Sequence, residues 1–164
     1  MPRINLKLTN WKVSIIATSL TVVLVIIIII IPSLLINIIP QSALGSYFIN
    51  HIYYTYTILP VILYISLTGF YYYSIKIDAY VLYITSFRTI SGFLKAKNYI
   101  DFPHDMLIRF SFFKHPFSLN KTLMLRFEND SGKKIIKRFN ISFLSKSEEL
   151  RISKVLDQII AKNS

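Results

Sequence analysis

Apolar positions dominate one uninterrupted stretch of the chain. From Val13 to Ile75, 63 residues in all, there is no Asp, Glu, Lys or Arg. A soluble fold of this size has no use for such a run, whereas a bilayer does, because every charge placed in hydrocarbon is expensive. Val13–Ile31 is apolar almost throughout and contains six consecutive isoleucines, Ile26 to Ile31. Its 19 residues predict a helix of about 28 Å, roughly the thickness of the hydrocarbon core. Pro32 interrupts the run, but apolar residues resume as Leu34–Ile39 before Pro40. The first span is therefore expected to cover residues 13–39, with Pro32 kinking it.

Residues 40–54 read as a short loop, and residues 55–75 as a second span with Pro60 near its start. Trp11, the trio Tyr53, Tyr54 and Tyr56, and the trio Tyr71, Tyr72 and Tyr73 fall where interfacial aromatic residues belong. A secretory signal would have a shorter apolar core, so the run reads as an anchor. Within it, the polar side chains are hydroxyls and amides such as Ser14, Thr18, Thr21 and Asn37, expected to bond back to their own helices. Ser66 and Gly69 are small enough to let helices approach closely.

The pattern changes at Lys76, which opens a domain over 76–164. Ala79–Phe87, Phe93–Tyr99 and Leu107–Phe113 read as strands, the last with Ile108, Phe110 and Phe112 on one side. Asp101–Asp105 reads as a loop. Lys121–Glu128 puts Leu123, Leu125 and Phe127 on one face, Asn129–Gly132 turns the chain, and Lys133–Phe143 returns with Ile135, Phe139, Ile141 and Phe143 at period two. Lys137 interrupts that face. Ser145 lies three residues before Glu148, as in a capping box, and Ile152, Val155, Leu156, Ile159 and Ile160 form one helical stripe.

The fold class these patterns predict is a membrane helical hairpin plus a small α+β, mostly β, domain. That domain is expected to be an antiparallel barrel or sandwich closed by a C-terminal helix. Two spans followed by the hairpin around Asn129–Gly132 and the terminal stretch Asn140–Ile160 (NISFLSKSEELRISKVLDQII) resemble bacterial pleckstrin-homology-like membrane proteins. The resemblance implies a binding or scaffolding module and carries over no lipid-binding residue.

Charge adds topology. Arg3, Lys7 and Lys12 make residues 1–12 a basic flank, the loop 40–54 has no Lys or Arg, and residues 76–164 hold 16 basic and eight acidic side chains. Basic flanks stay inside, so both termini are expected on the cytoplasmic side of a bacterial inner membrane. The densest cations are Lys133, Lys134, Lys137 and Arg138, with Lys95, Lys97, Arg109, Lys114, Lys121 and Arg126 around them. They form a candidate surface for anionic headgroups or a partner protein. Aromatic residues interleaved with these bases, such as Phe110, Phe112, Phe113 and Phe117, are read as core rather than as a nucleic-acid platform.

Chemistry is sparse. The chain has no cysteine, which excludes disulfides, thiolate nucleophiles and cysteine-ligated metals. Asp101, His104 and Asp105 sit close in sequence with His115 further on, a pattern read as a solvated turn rather than a metal site. No phosphate loop, nucleophile elbow or zinc-protease motif is present, and no catalytic residue or cofactor is assigned. The sequence therefore predicts a non-enzymatic anchored interaction protein, bound to a membrane-protein partner, to the leaflet or to further copies of itself. One alternative is an accessory subunit of a larger membrane complex for transport, secretion or the envelope, assembling through its spans; a second, ranked below it, is an enzyme with an unrecognised site near Asp101–Asp105.

Overall fold

The computed structural model describes residues 5–89, 98–114, 116, 118–129 and 131–163, without the side chains of residues 54, 55, 66 and 67. Arg3, the greater part of the expected strand Phe93–Tyr99 with Lys95 and Lys97, and also His115, Phe117 and the side chain of Ser66, lie outside the described residues. The chain forms two units, one from Ile15 to Gly69 and the other joining the stretch up to Ser14 to everything from Phe70 onward.

A run of helix extends from Trp11 to Ile38, the one helix among the described residues long and apolar enough to cross a membrane. It is built as α1 (Trp11–Val25), a π turn (Ile26–Ile30) and α2 (Ile31–Ile38). The π turn answers Pro32. A proline ring collides with the carbonyl four residues back, and a wider i→i+5 turn just before it gives the room, with the Ile31 N–H bonded to the Ile26 carbonyl. The hydroxyl of Thr21 donates to the Ala17 carbonyl and the amide of Asn37 to that of Ser33, each on its own helix, as expected. Residues 40–54 are not all loop: α3 (Ala43–Asn50) begins at Ser42, whose hydroxyl accepts the Gly45 N–H. Gly45 lies so near α2 that a Cβ there would run into the carbonyl oxygen of Ile39.

The second span departs from expectation. The helix α4 (Tyr53–Thr68) has 16 residues and stops where Gly69 takes φ 64, a conformation that favours glycine. The last five residues of the expected span 55–75 belong instead to the strand β2 (Tyr71–Ile77). Tyr73, Ile75 and Ile77 alternate into the core, so the tyrosines read as an interfacial belt belong to a sheet.

Among its described residues the β unit has two open antiparallel sheets and a C-terminal α-helix. The first has the order β1-β2-β3-β4, with β1 at Leu6–Thr9, β3 at Val81–Arg88 and β4 at Asn98–Pro103. The second has the order β5-β6-β7, with β5 at Leu107–Lys114, β6 at Asn120–Glu128 and β7 at Lys134–Ser142. The expected flank 1–12 thus contains a strand, since Leu6 pairs with Ile77 and Leu8 with Ile75, both leucines turned into the core. The expected loop 101–105 is partly strand as well, extending β4 to Pro103 before a 3-10 turn at His104–Met106.

On β5 the register with β6 slips between Leu107 and Arg109, a bulge that turns Ile108 outward while Phe110 and Phe112 pack on the core. The β6–β7 hairpin is as the pattern predicts, with Gly132 at φ 75 in the turn. The helix α5 (Lys146–Asn163) buries Ile152, Leu156 and Ile159 against the sheets. Its start is the expected capping box: the Glu148 N–H donates to the Ser145 hydroxyl at 3.2 Å, and the Ser145 N–H donates to the Glu148 carboxylate at 2.9 Å.

The sheets do not close into a barrel. Where β7 meets the first sheet, side chains replace the ladder. The Ser86 hydroxyl donates to the Asn140 carbonyl, and the Asn10 amide donates to the carbonyls of Ser142 (3.1 Å) and Tyr71 (2.8 Å). The Ser142 hydroxyl accepts the Tyr71 N–H at 2.7 Å. These bonds occupy backbone positions that a continuous sheet would use.

Candidate functional site

The densest cations of the sequence come together on one strand edge. Lys133 ends the turn, while Lys134, Lys137 and Arg138 lie on β7, and all four are exposed. Their facing follows from register. Leu123, Leu125 and Phe127 of β6 are buried, and they stand opposite Phe139, Lys137 and Ile135. Lys137 therefore occupies a core-side position of β7 but escapes to water near the open end of the sheet. Lys134 and Arg138 stand on the opposite face, with the half-exposed Ile136 between them. No acidic residue occurs in β7, and the one carboxylate in ladder register with it is Glu128, opposite Lys134.

β7 is also the outermost strand of its sheet. Alternate residues of an antiparallel strand turn both N–H and C=O to the same side. The carbonyls of Asn140 and Ser142 are met by Ser86 and Asn10 on the side away from β6, and the Phe143 N–H bonds the Leu119 carbonyl on the β6 side. By that alternation Lys134, Ile136 and Arg138 also present their backbone groups away from β6. The C-terminal half of the edge is closed by the protein's own side chains, and among the described residues nothing pairs with the N-terminal half.

Beside the open half lies a recess of about 470 Å³ lined by Asn98 and Tyr99 of β4 and by Ile136 through Phe139 of β7. The Tyr99 hydroxyl donates to the Asp101 carboxylate at 3.2 Å. Tyr99 holds its phenolic proton more firmly than usual through desolvation and then through that bond. Charge clustering in the sequence marks the four cations but misses Ile136 and Tyr99, because their juxtaposition needs the two sheets to meet. The nearest sequence signal was the break in the apolar alternation at Lys137.

The other candidates scatter. Lys121 pairs with Glu149 of α5, which ties helix to sheet. Gly69 caps α4 at φ 64, a conformation that favours glycine. Asp101 lies on β4 and bonds Tyr99, while His104 and Asp105 begin the 3-10 turn. His104 titrates below its usual range because burial disfavours the charged ring, partly offset by a hydrogen bond with the Val81 backbone. Among the described residues no three His, Asp or Glu side chains converge as metal ligands would. His51 belongs to the helical unit, its ring stacked on Tyr47 with centroids 4.2 Å apart.

No family model matches this chain, no curated protein matches its sequence, and no solved structure matches its fold.

Proposed function

We propose that this chain is a non-enzymatic, membrane-anchored interaction protein of a bacterial inner membrane, whose pleckstrin-homology-like β unit presents its basic edge to an anionic partner. The observation that carries this reading is the edge itself: four exposed cations around an open strand with no acid of its own. A cationic surface held beside an anionic leaflet, or beside an acidic segment of another membrane protein, gains about 1 kcal/mol for each basic residue brought close. The resemblance is supported by the strands among the described residues, four plus three with a C-terminal helix, although the sheets are open.

Two passes are supported by strand pairing. β1 precedes the long helix and β2 follows α4, yet the two are neighbours in one sheet. If Trp11–Ile38 crosses a membrane, the chain has to return before β2, and α4 is the helix available. At about 24 Å it falls short of a 30 Å core, a mismatch met by local thinning of the bilayer. The cations flanking the hairpin, Lys7 and Lys12 before it and Lys76 after it, support a cytoplasmic β unit.

The test is gentle extraction of the tagged chain from its native membrane, beside the variant K133E/K134E/K137E/R138E. An acidic partner protein or anionic lipid retained at low salt by the wild type and lost by the variant is the expected result. Equal retention by both would overturn the basic-edge reading.

A further inference from the structure

We infer that the open half of β7 is a strand-addition site, which takes an extended acidic segment of a partner protein as an added strand. The inference rests on the binding role proposed for this edge and names the kind of partner.

Three observations carry it. First, the edge from Lys134 to Arg138 presents three N–H and three C=O groups on the side away from β6, at Lys134, Ile136 and Arg138, and no described strand pairs there. The same edge is shut from Asn140 onward by Ser86 and Asn10. The open length is five residues, about 17 Å of extended chain. Second, the recess between β4 and β7 gives the side chains of an added strand a place to go, with Tyr99 and Ile136 as apolar walls, 55% and 50% exposed. Backbone pairing with alternate side chains in a recess is how strand addition combines affinity with selectivity. Third, Lys133, Lys134, Lys137 and Arg138 surround the edge.

Those cations also decide between occupants. Edge lysines are a common defence against unwanted pairing. An antiparallel partner copy centred on Ile136 would set Lys134 against Arg138, like charges directly opposite, which disfavours a second copy of this chain. An acidic strand turns the same four charges from a defence into a selection. A flat anionic leaflet would meet the charges but offers no backbone donors or acceptors to the strand.

The experiment uses the full chain in nanodiscs of neutral phosphatidylcholine. One probe is a fluorescent peptide alternating glutamate and valine. Another is the same peptide N-methylated at alternate residues, which keeps its charge and loses its edge donors. Vesicles containing phosphatidylserine are the third. The protein variants are the charge reversal above and Ile136→Pro. The Ile136 N–H points away from β6, so proline there removes an outward donor, keeps all four cations and spares the ladder.

The expected result is that the unmethylated peptide binds at least tenfold more tightly than the methylated one, and that Ile136→Pro and the charge reversal each remove that binding. If charge reversal abolishes binding while methylation and Ile136→Pro leave it unchanged, the basic edge stands and strand addition is overturned. If the vesicles bind and the peptide does not, the partner is the lipid surface and strand addition is again overturned. If charge reversal changes nothing, the reading of the edge as the binding site fails. The methylated peptide reports on wild-type protein, so the outcome does not depend on how Ile136→Pro folds.

Discussion

Asn10 does more for this fold than its place in a polar flank suggests. It is buried, and besides its two carbonyl partners on Tyr71 and Ser142 it accepts the Tyr73 N–H at 2.8 Å. The side-chain amide thus stitches β2 to β7, while the backbone carbonyl of Asn10 accepts the Ser14 N–H in the first turn of α1. Replacing it with alanine leaves buried backbone groups without partners, at about 1–3 kcal/mol for each group that water cannot reach. The expected loss for Asn10→Ala is about 3 kcal/mol, read as a lower denaturation midpoint of the full chain in detergent. A change below 0.5 kcal/mol would mean that water replaces the amide.

His104 supplies a pH-dependent counterpart. Its folded-state pKa lies below the 6.5 of a free histidine, chiefly through burial, with Lys162 acting in the same sense and the Val81 backbone, Asp105 and Asp78 opposing. The unfolded chain then binds the proton more readily, so stability is full above pH 6.5 and falls as pH drops toward the folded pKa. Melting temperatures of wild type and His104→Gln at pH 7.5 and 5.5 check this. The wild type should lose more on acidification than the variant, and equal losses would show that His104 does not carry the dependence.

At the scale of elements, the sequence was legible where periodicity and end signals agreed. The β6–β7 hairpin had alternating apolar residues on both sides of a glycine turn, and α5 had its stripe and its capping box, so both lie close to where they were expected. The end of the expected second span was not legible. Absence of charge is shared by a lipid-facing helix and a core-facing strand, and Tyr71–Ile75 satisfies both. The alternation of Tyr73, Ile75 and Ile77 was the discriminating signal, and it was overridden by the charge-free run. β1 was hidden for another reason: four residues give two apolar positions, Leu6 and Leu8, too few to show a period. The open edge of β7 had no sequence signal, since which side of a strand is left unpaired depends on the other sheet.

The pairing of β1 predicts a sharp contrast between neighbours. Leu6→Asp would bury a carboxylate beside Ile77 and should unfold the β unit, while Lys7→Asp on the outer face should shift stability by less than about 0.5 kcal/mol. Limited proteolysis of membranes carrying each variant reads the difference. Resistance of Leu6→Asp equal to wild type would mean that β1 is dispensable.

For the whole molecule, the consequential feature is that the helical stretch is inserted within a sheet. β1 and β2 flank residues 10–70, so a sheet of four strands assembles only after the intervening helices have returned the chain to β1. Topology and folding are thereby coupled: a chain that crossed once would leave β1 on one side of the membrane and its partner β2 on the other. The absence of cysteine makes this directly measurable, because any introduced thiol is the sole reactive one. Gln41→Cys lies just past the end of α2, and Lys154→Cys lies on the exposed side of α5. With an impermeant maleimide on intact spheroplasts, Gln41→Cys should label at once, and Lys154→Cys only after permeabilisation. Thr9→Cys, on the outer face of β1, should behave like Lys154→Cys if β1 and α5 share a compartment. Labelling of Thr9→Cys and Lys154→Cys on opposite sides would rule out two crossings and, with them, the β1–β2 pairing in the membrane. Labelling of all three from outside would reverse the orientation drawn from the basic flanks and remove the basic edge from the cytoplasm, leaving the pairing intact.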